Sequence, residues 1–186
     1  MTEHAGLIDR LRPLFGLCAT LGGLLHAIKG AVLLGGGPDL SLVPIMTLLF
    51  SVGLIGLFQR SQGVLGVAGV FMAAVGVVAA VAAVAYQLGE IAPEDPGSPL
   101  GVRLAYAGTT GSILLSLLLL GAARWRERGT RMPWRLLPLV VGVVWFPLEA
   151  LAVLAPDGTG LLLAGVAWML VGVAVWSGPE QLGATA

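Results

Sequence analysis

The sequence predicts an all-α polytopic membrane protein, with six transmembrane helices in one bundle and both termini cytoplasmic. Three observations carry that expectation. The 186 residues are 57% hydrophobic and only 11% charged, whereas a soluble domain carries about 25% charged residues. One aqueous core cannot hide so much apolar surface, so lipid must act as a second solvent. Six apolar runs stand at about 13–35, 41–58, 63–88, 100–123, 135–155 and 159–177, each close to the roughly 20 residues that cross a hydrocarbon core. The third observation is that arginine collects at alternate breaks between these runs.

Each break has a turn chemistry. Gly36-Gly37-Pro38-Asp39 separates the first two runs, and Gln59-Arg60-Ser61-Gln62 the next two. Residues 89–99 hold three prolines and three carboxylates, Arg124 to Arg135 form a basic stretch, and Pro156-Asp157-Gly158 makes the last turn. Helices follow because no other open structure satisfies its own backbone in lipid. With six spans, Arg10, Arg12, Arg60, Arg124, Arg126, Arg128, Arg131 and Arg135 share one side. The other side holds Arg103 with Asp39, Glu90, Glu94, Asp95 and Asp157. The positive-inside rule makes the arginine side cytoplasmic, and Trp125, Trp134 and Trp176 would form an interfacial belt there. A five-span arrangement would split the arginines between both sides. The run after Arg10 and Arg12 is too long for a signal peptide and has no small-residue exit, so a retained helix is expected. The organisation is then a cytoplasmic segment 1–12, a six-helix domain 13–177 and a cytoplasmic tail 178–186. Cys18 is the one cysteine, so no intrachain disulfide forms.

Lys29 and Glu149 are charges deep inside apolar runs. A charge at the bilayer centre costs about 2.5–3.5 kcal/mol on insertion scales, so an intramembrane charge marks a functional site by default. Both precede an outward Pro-Asp turn by a similar distance, roughly 9 Å below the outer edge at 1.5 Å per residue. They can therefore pair. His26 shares the Lys29 face one turn deeper, and Trp145 lies one turn below Glu149. The pair could serve a proton relay, an ion site or a ligand pocket. It could equally be a structural salt bridge, or Lys29 could snorkel to the surface. The two segments Lys29–Leu34 and Glu149–Leu154 echo one another, as a hairpin repeat would.

The third run carries a stripe of small residues, Gly66, Gly69, Ala73, Gly76, Ala80 and Ala83, at three–four spacing. Such stripes admit close helix approach, and a central position is expected for this helix. The stripe continues to Gln87 and Glu90. The fourth run places Arg103, Tyr106 and Thr110 on one face and Thr109, Ser112 and Ser116 on the next. Those three hydroxyls are expected to bond their own backbone. His26, Lys29, Tyr86, Gln87, Glu90, Arg103, Tyr106 and Glu149 all fall in the outer half, which suggests a polar cavity there and a nearly featureless inner half. Arg124, Arg126, Arg128 and Arg131 act as a topology signal or hold anionic lipid heads. No phosphate loop, zinc motif or nucleophile elbow is present, so no metal or cofactor is expected. Nucleic-acid binding is not expected from so short a basic loop beside a membrane.

The segments Gly22-Gly23-Leu24-Leu25-His26-Ala27-Ile28-Lys29, Phe50-Ser51-Val52-Gly53-Leu54-Ile55-Gly56-Leu57 and Gly165-Val166-Ala167-Trp168-Met169-Leu170-Val171-Gly172 resemble those of small uncharacterised bacterial six-helix integral membrane proteins. That resemblance implies no activity. Length and helix count are also similar to the substrate-binding components of energy-coupling-factor vitamin transporters, an analogy of architecture alone. The expectation is a non-enzymatic protein of the bacterial cytoplasmic membrane. It would be a binding, transport-related or accessory subunit, with lipid and other membrane subunits as partners. The alternatives are an intramembrane enzyme acting on a lipid or isoprenoid and a structural subunit of a larger complex.

Overall fold

The computed structural model describes residues 3–40, 42–58, 63–89, 99–126, 134–154 and 158–183, with side chains described from Arg10, to Leu148 in the fifth helix and to Trp176 in the sixth. Its elements are six helices: α1 (Glu3–Leu34), α2 (Val43–Ile55), α3 (Gly63–Leu88), α4 (Leu100–Trp125), α5 (Leu137–Leu154) and α6 (Thr159–Gly183). Among the described residues, four segments are long and apolar enough to cross a membrane: Arg10–Leu34, all of α3, all of α4, and Thr159–Trp176. The α2 helix has thirteen residues, or about 20 Å. Pro44 sits in its first turn, and it tightens after Ile55 into i→i−3 bonds from Gly56, Leu57 and Phe58.

Successive helices run antiparallel and the ring closes between α1 and α6, which make the most extensive contact in the molecule. The seam is built on glycine. Gly16 faces Gly172, Gly23 faces Gly165 and Gly30 faces Gly158 in the turn just before α6, advancing seven residues along each side of the seam. A Cβ on Gly16 would lie 2.9 Å from the Gly172 carbonyl oxygen, and one on Gly23 would lie 2.7 Å from that of Gly165. Backbone therefore touches backbone. In lipid, where no hydrophobic effect drives helices together, such dispersion contact is the main cohesive force.

The small stripe on α3 behaves as its spacing predicts in one respect. Gly66, Gly69, Ala73, Gly76, Ala80 and Ala83 are its buried residues. However, α3 is not central. It is the least buried of the four long segments, and Val64, Val67, Phe71, Val78 and Val81 are exposed on its other faces. The stripe serves one close seam with α4, where Leu120 packs over Gly69, and a lesser one with α2. The central helix is α2, which meets α1, α3, α4 and α6 and buries Met46, Phe50 and Leu54 completely. Small residues report how closely a helix is approached, and α2 is instead centred by bulk.

These contacts set two ends. Lys29, the start of α2, the end of α3 and the start of α4 lie at one, called the Asp39 end. Arg10, Arg12, Arg124, Arg126 and Arg135 lie at the other with Trp125 and Trp176, both exposed. Arg60, Glu90, Glu94, Asp95, Arg128, Arg131 and Asp157 lie outside the described residues.

Gly165→Ala should lower unfolding free energy by about 1–3 kcal/mol, since its Cβ would sit 2.6 Å from the Gly23 carbonyl oxygen. Gly111→Ala, with nothing within 4 Å, should be neutral or slightly stabilising through helix propensity. Thermal or denaturant unfolding in detergent compares the two.

Candidate functional site

The α1 helix ends in a Schellman motif. Gly36 adopts φ +73°, its N–H donates to Leu33 and that of Gly37 to Val32. This turn brings Asp39 back over the helix, and Lys29 Nζ meets Asp39 Oδ1 at 2.7 Å. The lysine side chain is 8% exposed and the aspartate 67%. Lys29 thus pairs with a residue of the adjoining turn, ten positions along the same segment. The Glu149 side chain, expected as its partner, lies outside the described residues. A local partner fits the physics of a long lysine stem: the charge reaches toward the polar surface while its methylenes remain buried.

One turn deeper, His26 is buried and enters an aromatic cluster drawn from four helices. Its ring centroid lies 5.9 Å from Phe50 and 6.2 Å from Trp145. Phe50 stacks on Trp168 at 4.0 Å with an interplanar angle of 11°, and Trp145 meets Trp168 edge-on at 4.9 Å. Such pairs add about 0.5–1.5 kcal/mol beyond burial. The cluster ties α1, α2, α5 and α6 together below the ion pair. The indole N–H groups of Trp145 and Trp168 and the Ser51 hydroxyl are buried without a hydrogen-bond partner among the described residues. Sequence spacing places His26 and Trp145 each below a charge but cannot show that they meet.

A second feature lies at the same end. A hollow of about 270 Å³ opens between α2, α3 and α4, lined by Val43, Pro44, Thr47, Ala83, Tyr106, Ala107, Thr109 and Thr110. It exists because α2 is half the length of its neighbours. Pro44 lies in the first turn of α2, while α3 continues past Ala83 to Leu88 and α4 begins at Leu100. Tyr106 is one of its lining residues. Tyr86 and Gln87 are half-buried and Arg103 is exposed; none of them lines the hollow. Thr47 does not stand out in the sequence, where the one available signal is a threonine one turn into a short, proline-started helix. Another cavity, about 200 Å³ and wholly apolar, lies between α5 and α6.

Two expectations need correction. Thr109 Oγ1 donates to its own helix at Ala105, 2.7 Å, as expected. Ser116 Oγ instead donates across to the Gly69 carbonyl on α3 at 2.9 Å, because the missing glycine side chain lets α4 come within reach. The end opposite Asp39 is also not featureless: Arg124 is buried, 3% exposed, so its head is enclosed by protein, whereas Arg126 is exposed. Among the described residues no three His, Cys, Asp or Glu side chains come together as a metal site would require.

Asp39→Asn should destabilise by about 1–3 kcal/mol, because it strands a buried ammonium; the cost stays below that of a fully buried pair since Asp39 is solvated. Lys29→Met added to Asp39→Asn should recover most of that loss. Unfolding midpoints of the two single variants and the double variant measure the coupling, and a double variant no better than Asp39→Asn would argue against the pair.

No family model, curated protein or solved structure matches the chain.

Proposed function

We propose that this chain is a six-span protein of a bacterial cytoplasmic membrane, with both termini in the cytoplasm, working as a non-enzymatic binding, transport-related or accessory subunit. The orientation rests on the arginines and exposed tryptophans gathered at one end. In this reading α2 and α5 complete the spans, with α2 buried among its neighbours so that its short length meets protein more than lipid.

The observation that carries a binding role is the hydroxyl-lined hollow at the Asp39 end. Binding is favoured over catalysis because, among the described residues, the Tyr106 phenol is the one titratable group lining it, with no Lys, His, Asp or Glu beside it to share acid–base work. The histidine of this end is occupied in a packed aromatic core. Exposed Arg126 beside the interfacial tryptophans fits contact with anionic lipid heads.

Two measurements test this. In a Cys18→Ala background, Asp39→Cys should react with an impermeant maleimide on intact cells, and Arg126→Cys only after permeabilisation; the reverse pattern overturns the orientation. Membranes cross-linked before solubilisation should yield the protein with a bound small molecule or a stoichiometric membrane partner. Turnover of labelled lipid by the purified protein would instead establish the enzyme reading.

A further inference from the structure

The donors and acceptors around the α2–α3–α4 hollow restrict what it can hold. Thr47 Oγ1 donates to the Val43 and Pro44 carbonyls at 2.9 and 3.0 Å. Thr109 Oγ1 donates to Ala105 at 2.7 Å. Both hydroxyl hydrogens are therefore committed to the helix backbone, and what these side chains can offer a guest is oxygen lone pairs. Pro44, on the same wall, has no N–H to give. Among the described residues no cation lines the hollow, so a carboxylate or phosphate would find no opposite charge there to offset its desolvation. Tyr106 and Thr110 also line the hollow, and their hydroxyls can donate as well as accept, so an uncharged guest with an O–H group, which does both, suits the site. Val43, Pro44, Ala83 and Ala107 supply the apolar remainder.

Size and access narrow the class further. The hollow, about 270 Å³, falls just below the roughly 300–1,000 Å³ of drug-sized pockets, so it holds a head group and not a whole lipid. Ala107 and Thr110 are exposed, and nothing lies within 4 Å of a Cβ built on Gly111, one residue further along α4. The contacts of α4 with α5 lie lower, where Leu139 meets Gly121 and Leu117 meets Gly142. An apolar chain can therefore leave the hollow along the uncovered face of α4.

We infer that this hollow binds the head of a neutral, alcohol-bearing amphiphile, its hydroxyl donating to the Thr47 and Thr109 oxygens and its chain lying on α4. Diacylglycerol and a polyprenol share that chemistry. The inference rests on the binding role proposed above and specifies its ligand.

The test uses the full chain in nanodiscs with three photoactivatable diazirine probes: a diacylglycerol, a prenol and a phosphatidic acid. At least one alcohol should cross-link to α2 or α4 residues of the hollow, and phosphatidic acid should not. Whichever alcohol labels identifies the source. Ala107→Phe, which fills the hollow from an exposed position, should reduce labelling about tenfold or more. Acetylating the probe hydroxyl should reduce it roughly three- to tenfold, the worth of one hydrogen bond. Unchanged melting of Ala107→Phe would show that the loss is not misfolding. If the variant melts early, Ala107→Leu and the acetylated probe on the wild type decide the same question. Equal labelling by phosphatidic acid or by the acetylated probe overturns the ligand class while leaving a binding site. Absence of hollow labelling by all three probes overturns the inference and removes the observation supporting the binding role.

Discussion

The close approach of α1 and α6 is the constraint on which the rest of the bundle depends. Three glycine pairs, each one heptad apart, bring the first and last helices into backbone contact. That contact joins the two ends of the chain into a ring. It also sets the depth at which α1 presents Lys29 and His26, since Ala27, between them, packs against Gly165. Trp168 lies one turn beyond Gly165 on α6, so the same register delivers its indole to the face of Phe50. A slip of one residue along the seam would rotate Trp168 away and push Cβ atoms into the opposing helix.

With α1 and α6 locked, the space left inside suits a short, bulky helix, and α2 fills it with Met46, Phe50 and Leu54. Two polar features lie at the same end. The Gly36 reversal that closes α1 folds Asp39 onto Lys29, and the space left before the short α2 becomes the hollow lined by Tyr106 and Thr110. They differ in chemistry: the ion pair is closed on itself, while the hollow presents uncharged hydroxyl groups to whatever enters. Below them the core is aromatic and aliphatic with buried Ser51, Ser112 and Ser116 among it, as far as buried Arg124 near the opposite end.

Much of this is legible in the sequence, for identifiable reasons. Apolar run length and Pro-Gly breaks locate all six helices, and the α3 limits of 63–88 agree to the residue. Three–four spacing picks out the buried face of α3 residue by residue. Its peripheral position is not legible, because a stripe of small residues encodes how closely a neighbour comes and says nothing about how many neighbours there are. The heptad of glycines in α1 and its counterpart in α6 acquire meaning only once the two helices are known to pair. Lys29 stands out in the sequence as a charge that needs a carboxylate, and it is buried against one. Depth alone favours Glu149, and only the Gly36 reversal places Asp39 within 2.7 Å. Tyr106 is marked by its place near the start of the fourth apolar run, whereas Thr47 is not, since the hollow exists through the late start of the short α2 and not through any motif.

The seam can be measured directly in native membranes. Cysteine pairs placed along α1 and α6 in a Cys18→Ala background would be oxidised and scored for intramolecular cross-linking, which requires Cα atoms within about 7 Å. Maximal yield is expected for pairs in register with Gly23 and Gly165, recurring seven residues away toward Gly16–Gly172 and Gly30–Gly158. A maximum in another register, or no cross-linking between α1 and α6, would contradict the glycine seam.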